Sequence, residues 1–193
     1  MLRSRDGDCA LIYTGTGETT DRVIDLAGRM LAATFDQSGT GLLRFTSAFS
    51  ISGYGAGKTL VLKGSTAGAG EIAGSIADPY DRAGAAKTAL TKSGTGTWTL
   101  SGANSYTGPT KVTGGALACS NATSLGGGPL EISAGAKLRL SYAGTGWVAT
   151  LRLNGGAAKA NGTYGSTASP ATYKDDTCFS GTGTVTVAGQ AAK

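Results

Sequence analysis

Chemistry in this chain has to be built without histidine, because its 193 residues contain none. Imidazole general bases, Ser-His-Asp and Cys-His catalysis and His-ligated zinc all fall together. Cys9, Cys119 and Cys178 lie far apart at no metal-ligand or redox spacing, and an odd count leaves at least one thiol unpaired within a monomer. Paired carboxylates are the acid–base chemistry that remains. Asp175 and Asp176 are adjacent, so in extended chain they diverge to opposite faces and cannot jointly flank one glycosidic bond. Asp21 and Asp25 share a face, but strand rise sets them ~13 Å apart, beyond the usual glycosidase separations. A hydrolase or lyase would need acids and Arg or Lys from neighbouring turns of the fold, and Asp175 and Asp176 are the candidates for that role. Solvation or turn-capping accounts better for each of them. Asp6-Gly-Asp8 and Asp78-Pro-Tyr-Asp81 supply too few oxygens for a calcium loop, so neither a metal nor a cofactor is expected.

Binding chemistry has more material. Tyr54, Tyr80, Tyr106, Tyr142, Trp147, Tyr164 and Tyr173 lie in or beside turns, and Trp147 follows a Gly-Thr-Gly turn. Exposed rings are the flat apolar platforms on which sugars stack, so Trp147 and Tyr164, with the cations Lys137, Arg139 and Arg152, form the candidate ligand-binding set. The formal charge of +5 resides in the second half of the chain. Met1 to Asp81 holds seven basic and nine acidic residues, whereas Arg82 to Lys174 holds nine basic residues against Glu131 alone. Such a surface attracts an acidic polysaccharide or another surface polyanion. Lysines on exposed strands also block edge-to-edge aggregation, which explains the same residues without any ligand. Aromatics do not interleave with the cations as in nucleic-acid readers, so no nucleic-acid partner is expected. No stretch reaches membrane-spanning length, so no membrane insertion is expected either.

The elements that must position these groups are short strands. Glycine is abundant at 33 residues without a collagen period, proline is scarce at 4, and only 15% of residues are charged. Glycine gives tight turns while Thr and Val favour half-buried pleated positions, so the chain reads as nearly all β. Period-two runs recur at Lys58–Lys63, Thr97–Leu100, Ala136–Ser141 and Thr184–Val187, among others, with Gly-rich turns between them. Leu138 and Leu140 point inward and Lys137 and Arg139 outward; Trp98 shares the parity of Leu100, and Val185 and Val187 take the corresponding places further on. Ser38-Gly-Thr-Gly41 and Ser180-Gly-Thr-Gly183 each open a strand-like run, as Ser93-Gly-Thr-Gly96 does, with looser copies at Thr14–Gly17 and Ala143–Gly146. One corner reused at intervals predicts a solenoid rather than a sandwich, because a repeated unit of this size buries its apolar face only by stacking on its neighbours.

The stretch Lys92-Ser-Gly-Thr-Gly-Thr-Trp-Thr-Leu-Ser-Gly-Ala-Asn-Ser-Tyr-Thr-Gly-Pro-Thr, continuing to Leu117, resembles the autotransporter-associated β-strand repeat, also called the passenger-associated transport repeat. Ser105 and Pro109 depart from its usual residues. The resemblance implies a right-handed parallel β-helix within a longer exported polypeptide, extracellular or on the cell surface, and it implies no single activity. On this reading residues 1–10 are a tag-like or fragment-start segment, 11–189 a single β-helical domain and 190–193 a tail. Met1–Asp8 is charged where a signal peptide needs an apolar run. The expected function is a non-enzymatic scaffold or adhesion segment, with a polysaccharide-binding module as the alternative and a glycoside-cleaving enzyme after it. Bare solenoid ends expose strand edges, so self-association through the ends is a further expectation.

Overall fold

The computed structural model describes residues 9–27, 32–52, 57–80 and 85–188. Residues 1–8 of the segment expected at 1–10, the tail expected at 190–193, and Tyr54 lie outside them. Among the described residues there is no helix. The chain runs through β1 (Cys9–Tyr13), β2 (Glu18–Thr20), β3 (Ala32–Gln37), β4 (Leu42–Phe45), β5 (Lys58–Gly64), β6 (Ala69–Ile72), β7 (Thr88–Lys92), β8 (Thr97–Leu100), β9 (Thr110–Val112), β10 (Ala116–Cys119), β11 (Leu130–Ile132) and β12 (Lys137–Leu140). It continues through β13 (Thr145–Val148), β14 (Leu151–Leu153), β15 (Gly162–Gly165), β16 (Tyr173–Lys174), β17 (Phe179–Gly181) and β18 (Thr184–Val187). β1 thus takes in Cys9 and Ala10.

Successive strands alternate between two seven-stranded sheets, the first ordered β1-β3-β5-β7-β9-β11-β14 and the second β17-β12-β10-β8-β6-β4-β2. Every pairing in both is parallel. The fold is therefore the parallel β-helix that the repeated corner predicted. A third, narrower wall closes each coil through main-chain bonds such as Ser50 N to Ile24 O (2.9 Å), Phe49 N to Ser75 O (2.9 Å) and Ser105 N to Ile76 O (2.9 Å). Arg22–Leu26, which alternates like a strand, contributes only a bridge there, Asp25 to Ser50.

Strand register stacks like on like. In the first sheet Leu60, Leu90, Thr110, Leu130 and Leu151 fall in one column and Leu62, Lys92, Val112, Ile132 and Leu153 in the next. In the second sheet Leu43, Gly70, Trp98, Leu117, Leu138 and Phe179 form a column beside Phe45, Ile72, Leu100, Cys119 and Leu140. The apolar side chains of these columns belong to the core. Near the first coils Phe35, Phe45 and Phe49 meet edge to face, with centroids 5.2 to 6.3 Å apart.

The repeat's characteristic residues acquire physical reasons in this frame. The Trp98 indole covers the space where a side chain on Gly70 would sit, and its Nε1 donates to Lys63 O at 2.9 Å. Asn104 clamps neighbouring coils: its Oδ1 accepts from Ile76 N (2.8 Å) and its Nδ2 donates to Ser124 O (2.6 Å). Tyr106 is fully buried and its hydroxyl bonds Thr110 Oγ1 at 2.7 Å, so the ring packs within the coil stack. Lys92 stands inside the core, where its Nζ donates to the carbonyls of Ser93 (2.5 Å), Gly94 (3.2 Å) and Gly114 (3.1 Å). Burial pulls that ammonium down to about 8.

After β14 the regular winding ends. Asn154 and Gly155 turn the chain back at φ 55° and 71°, and Lys159 N returns to Leu151 O at 2.8 Å. β13, β18, β15 and β16 then form a separate four-stranded sheet in which β15 runs antiparallel to β18. This mixed sheet and the loops around it carry the two grooves described next.

Candidate functional site

The first groove forms around Trp147. β13 alternates Thr145 and Trp147 outward with Gly146 and Val148 inward, and it pairs with β18 so that Trp147 lies beside Thr186. The indole rests over Gly127, where an added Cβ would come within 3.0 Å of its Cε3 and Cζ3, yet the residue stays 49% exposed. Gly126 and Gly127 sit at φ 71° and 109°, a backbone that side chains strain, so this resting place is open only to glycine. The groove encloses about 290 Å³ between Trp147, these glycines, Asn104, Thr123 and Thr145. Its hydroxyls already have partners: Thr123 Oγ1 bonds Asn121 Oδ1 (2.8 Å) and Thr145 Oγ1 bonds those of Thr184 (2.6 Å) and Thr186 (3.0 Å). No ionisable side chain lines it. Such a surface can stack a neutral planar or ring-shaped face.

The second groove, about 360 Å³, lies where β16 meets the returning chain, between Leu153, Lys159, Ala160, Tyr164, Tyr173, Lys174 and Asp175. Tyr164 is only 5% exposed; its hydroxyl donates to Ala160 O at 2.8 Å and its ring stacks on Tyr173, centroids 4.8 Å apart and planes 21° apart. Burial, with Tyr173 adding to it, pushes the Tyr164 phenol up.

The remaining candidates do not converge. Lys137 and Arg139 lie on the outer face of β12 in the second sheet, while Arg152 lies on β14 in the first. Lys137 Nζ donates to Asp176 O at 2.9 Å. Arg152 Nη1 reaches Gly156 O at 3.3 Å and the residue stands beside Glu131 in the strand register. Trp147, in the third sheet, is lined by none of the three.

Asp175 and Asp176 are both engaged in turns. Asp175 Oδ1 accepts from Thr177 N (2.8 Å), Thr177 Oγ1 (2.5 Å) and Cys178 N (3.2 Å). Partial burial raises this carboxyl, but the bonds from Thr177 and Cys178 outweigh it and leave it below the usual range. Asp176 accepts from Thr167 N (2.8 Å) and Oγ1 (2.7 Å), and those bonds likewise hold its carboxyl low. Two lowered carboxylates, one bound to its own turn and the other to Thr167, are poor proton donors at neutral pH.

Sequence reasoning missed Gly126, Gly127 and Thr123 in the first groove and Lys159 and Lys174 in the second. A triple glycine at Gly126–Gly128 was the visible signal for the former; the latter depend on a chain reversal that no spacing reveals.

Residues 90–118 match the model of the passenger-associated-transport-repeat family. The chain is 38% identical over 121 residues to the "Adhesin BmaC autotransporter" of Brucella suis biovar 1 (strain 1330), an alignment covering 62% of this chain and 3% of that protein. The chain thus spans a small fraction of the curated relative it matches. No solved structure matches it.

Proposed function

On the premise that residues 90–118 are a passenger-associated transport repeat, we propose that this chain is a β-solenoid segment of an exported surface protein, contributing rigid length and contact surface to adhesion. The chain is of the passenger type, and the similarity to an adhesin autotransporter supports the adhesive reading. The observation that carries it is the pair of seven-stranded parallel sheets, which run unbroken through the repeat and spend its distinctive residues on stacking. A segment whose Trp98, Asn104 and Tyr106 all serve the coil stack is a scaffold first, and it meets a partner with its outer faces and its grooves. The test is to coat cell-sized beads with the purified chain and measure their retention under flow on epithelial cells and on matrix-coated glass. Retention several-fold above beads carrying the heat-unfolded chain is expected. Equal retention would leave a scaffold without adhesive function.

The half-exposed Trp147 over Gly127 favours polysaccharide binding as a second reading, because a solvent-facing indole fixed on glycine is a ready stacking platform. A glycan array probed with the native chain and with Trp147→Ala checks it. Unchanged binding in the variant would remove this groove from consideration.

A further inference from the structure

The geometry points to the groove between Tyr173, Lys159 and Lys174 as a binding site for a carboxylated saccharide, distinct from the Trp147 groove. Three observations combine there. The first is a fixed aromatic platform. Tyr164 is buried, tied by its hydroxyl to Ala160 O at 2.8 Å, and stacked beneath Tyr173, while Tyr173 itself remains 46% exposed. Gly162, at φ 147°, leaves room for the Tyr173 ring, since a Cβ there would lie 2.7 Å from its Cε2. The ring is therefore held in place before any ligand arrives, which lowers the ordering cost of binding. The electron-rich face of a phenol attracts the partly positive C–H bonds of a sugar ring.

The second observation is unspent positive charge. Lys159 and Lys174 line the groove, both are exposed, and neither makes an ion pair or side-chain hydrogen bond among the described residues. The one acid in the lining, Asp175, is ionised with its Oδ1 held by Thr177 and Cys178, so the two lysines still leave the lining with a positive excess. The third is size: about 360 Å³ falls within the range of small-ligand sites, about 300 to 1,000 Å³. Two ammonium groups beside one exposed ring fit a sugar that carries a carboxylate, with its apolar face on Tyr173 and its anion between the lysines. A neutral sugar would use the ring and leave the charge unanswered.

The test is a calorimetric titration of the whole chain with a trimer of galacturonic acid and, separately, with a trimer of galactose. The acidic trimer is expected to bind about tenfold or more tightly than the neutral one, and Tyr173→Ala to weaken it by about tenfold. Lys159→Gln combined with Lys174→Gln should erase the preference for the acidic trimer and flatten the dependence on salt. Both lysines are exposed, so this variant should keep the native circular dichroism and melting temperature. Equal affinity for the two trimers, or no heat from the acidic one, would overturn the assignment. So would undiminished binding by Tyr173→Ala, which would mean charge attraction alone. A lysine double variant that alters only self-association would reassign Lys174 to guarding the edge of β16. These outcomes are separable from the bead-retention result, since neither trimer reports on adhesion.

Discussion

A single side chain can decide whether two coils fit, and Trp98 does so by occupying the volume that Gly70 leaves empty. Trp98→Ala should cost ~3–5 kcal/mol, in the range for emptying a buried indole site. Gly70→Ala should also destabilise, because the added methyl overlaps the ring. Combined with Trp98→Leu, the same Gly70→Ala should cost far less, since the clash partner is gone. Urea denaturation of the unmodified chain, Gly70→Ala, Trp98→Leu and the double variant measures the coupling, and simple additivity would refute it. Lys92 offers a second residue-scale test. Its ammonium falls from 10.5 to about 8 on folding, so between those values the unfolded chain binds more protons than the folded one. Stability should therefore rise as pH increases from about 8 towards 10.5. Lys92→Met should remove this contribution; an identical pH slope in both proteins would show that the lysine is not its source.

At the scale of elements, corners rather than strands set the fold's tolerance. Glycine to alanine at a compatible turn usually stabilises by about 0.4–1 kcal/mol. At Gly41 the sign should reverse, because a Cβ there would overlap Thr16 O of the preceding coil. A raised melting temperature for Gly41→Ala would contradict this close stacking of corners. The corners were the legible part of the sequence: Ser38–Gly41 and Ser93–Gly96 are the same four residues, and the columns they space could be read from period-two runs such as Leu138 and Leu140. Lys92 was not legible as a core residue, since nothing in its type distinguishes a lysine that bonds three carbonyls from one in water. Tyr164 was read as a ligand platform, whereas the structure gives it a position beneath Tyr173, because β15 and β16 pair only after the chain has reversed. Lys137, Arg139 and Arg152 looked like one patch along the sequence. Alternation gave the outward direction of Lys137 and Arg139 but could not say that β12 and β14 belong to different sheets.

For the molecule as a whole, each coil touches mainly its two neighbours, so stability should be regional. Phe35→Ala breaks the cluster with Phe45 and Phe49 near the first coils and should cost ~3–5 kcal/mol there. Hydrogen exchange should then show amides of β1 to β5 losing protection while those of β10 to β12 keep theirs. A uniform loss across all strands would mean that the mixed sheet at the far end locks the solenoid into one cooperative unit.

Strand register makes the coil a module of fixed length over part of the chain: Leu90, Thr110 and Leu130 stack directly, and Asn104 reaches Ser124 across 20 residues. Removing Lys111 to Leu130 would join Thr110 to Glu131 in the same register and bring Trp98 beside Leu138. Such a shortened chain should still fold, giving a native-like β circular dichroism spectrum with a lower melting temperature; a spectrum of disordered chain would deny the modularity. A polypeptide built this way changes its reach by gaining or dropping whole turns, so genetic duplication can lengthen it without any compensating substitution in the turns it already has.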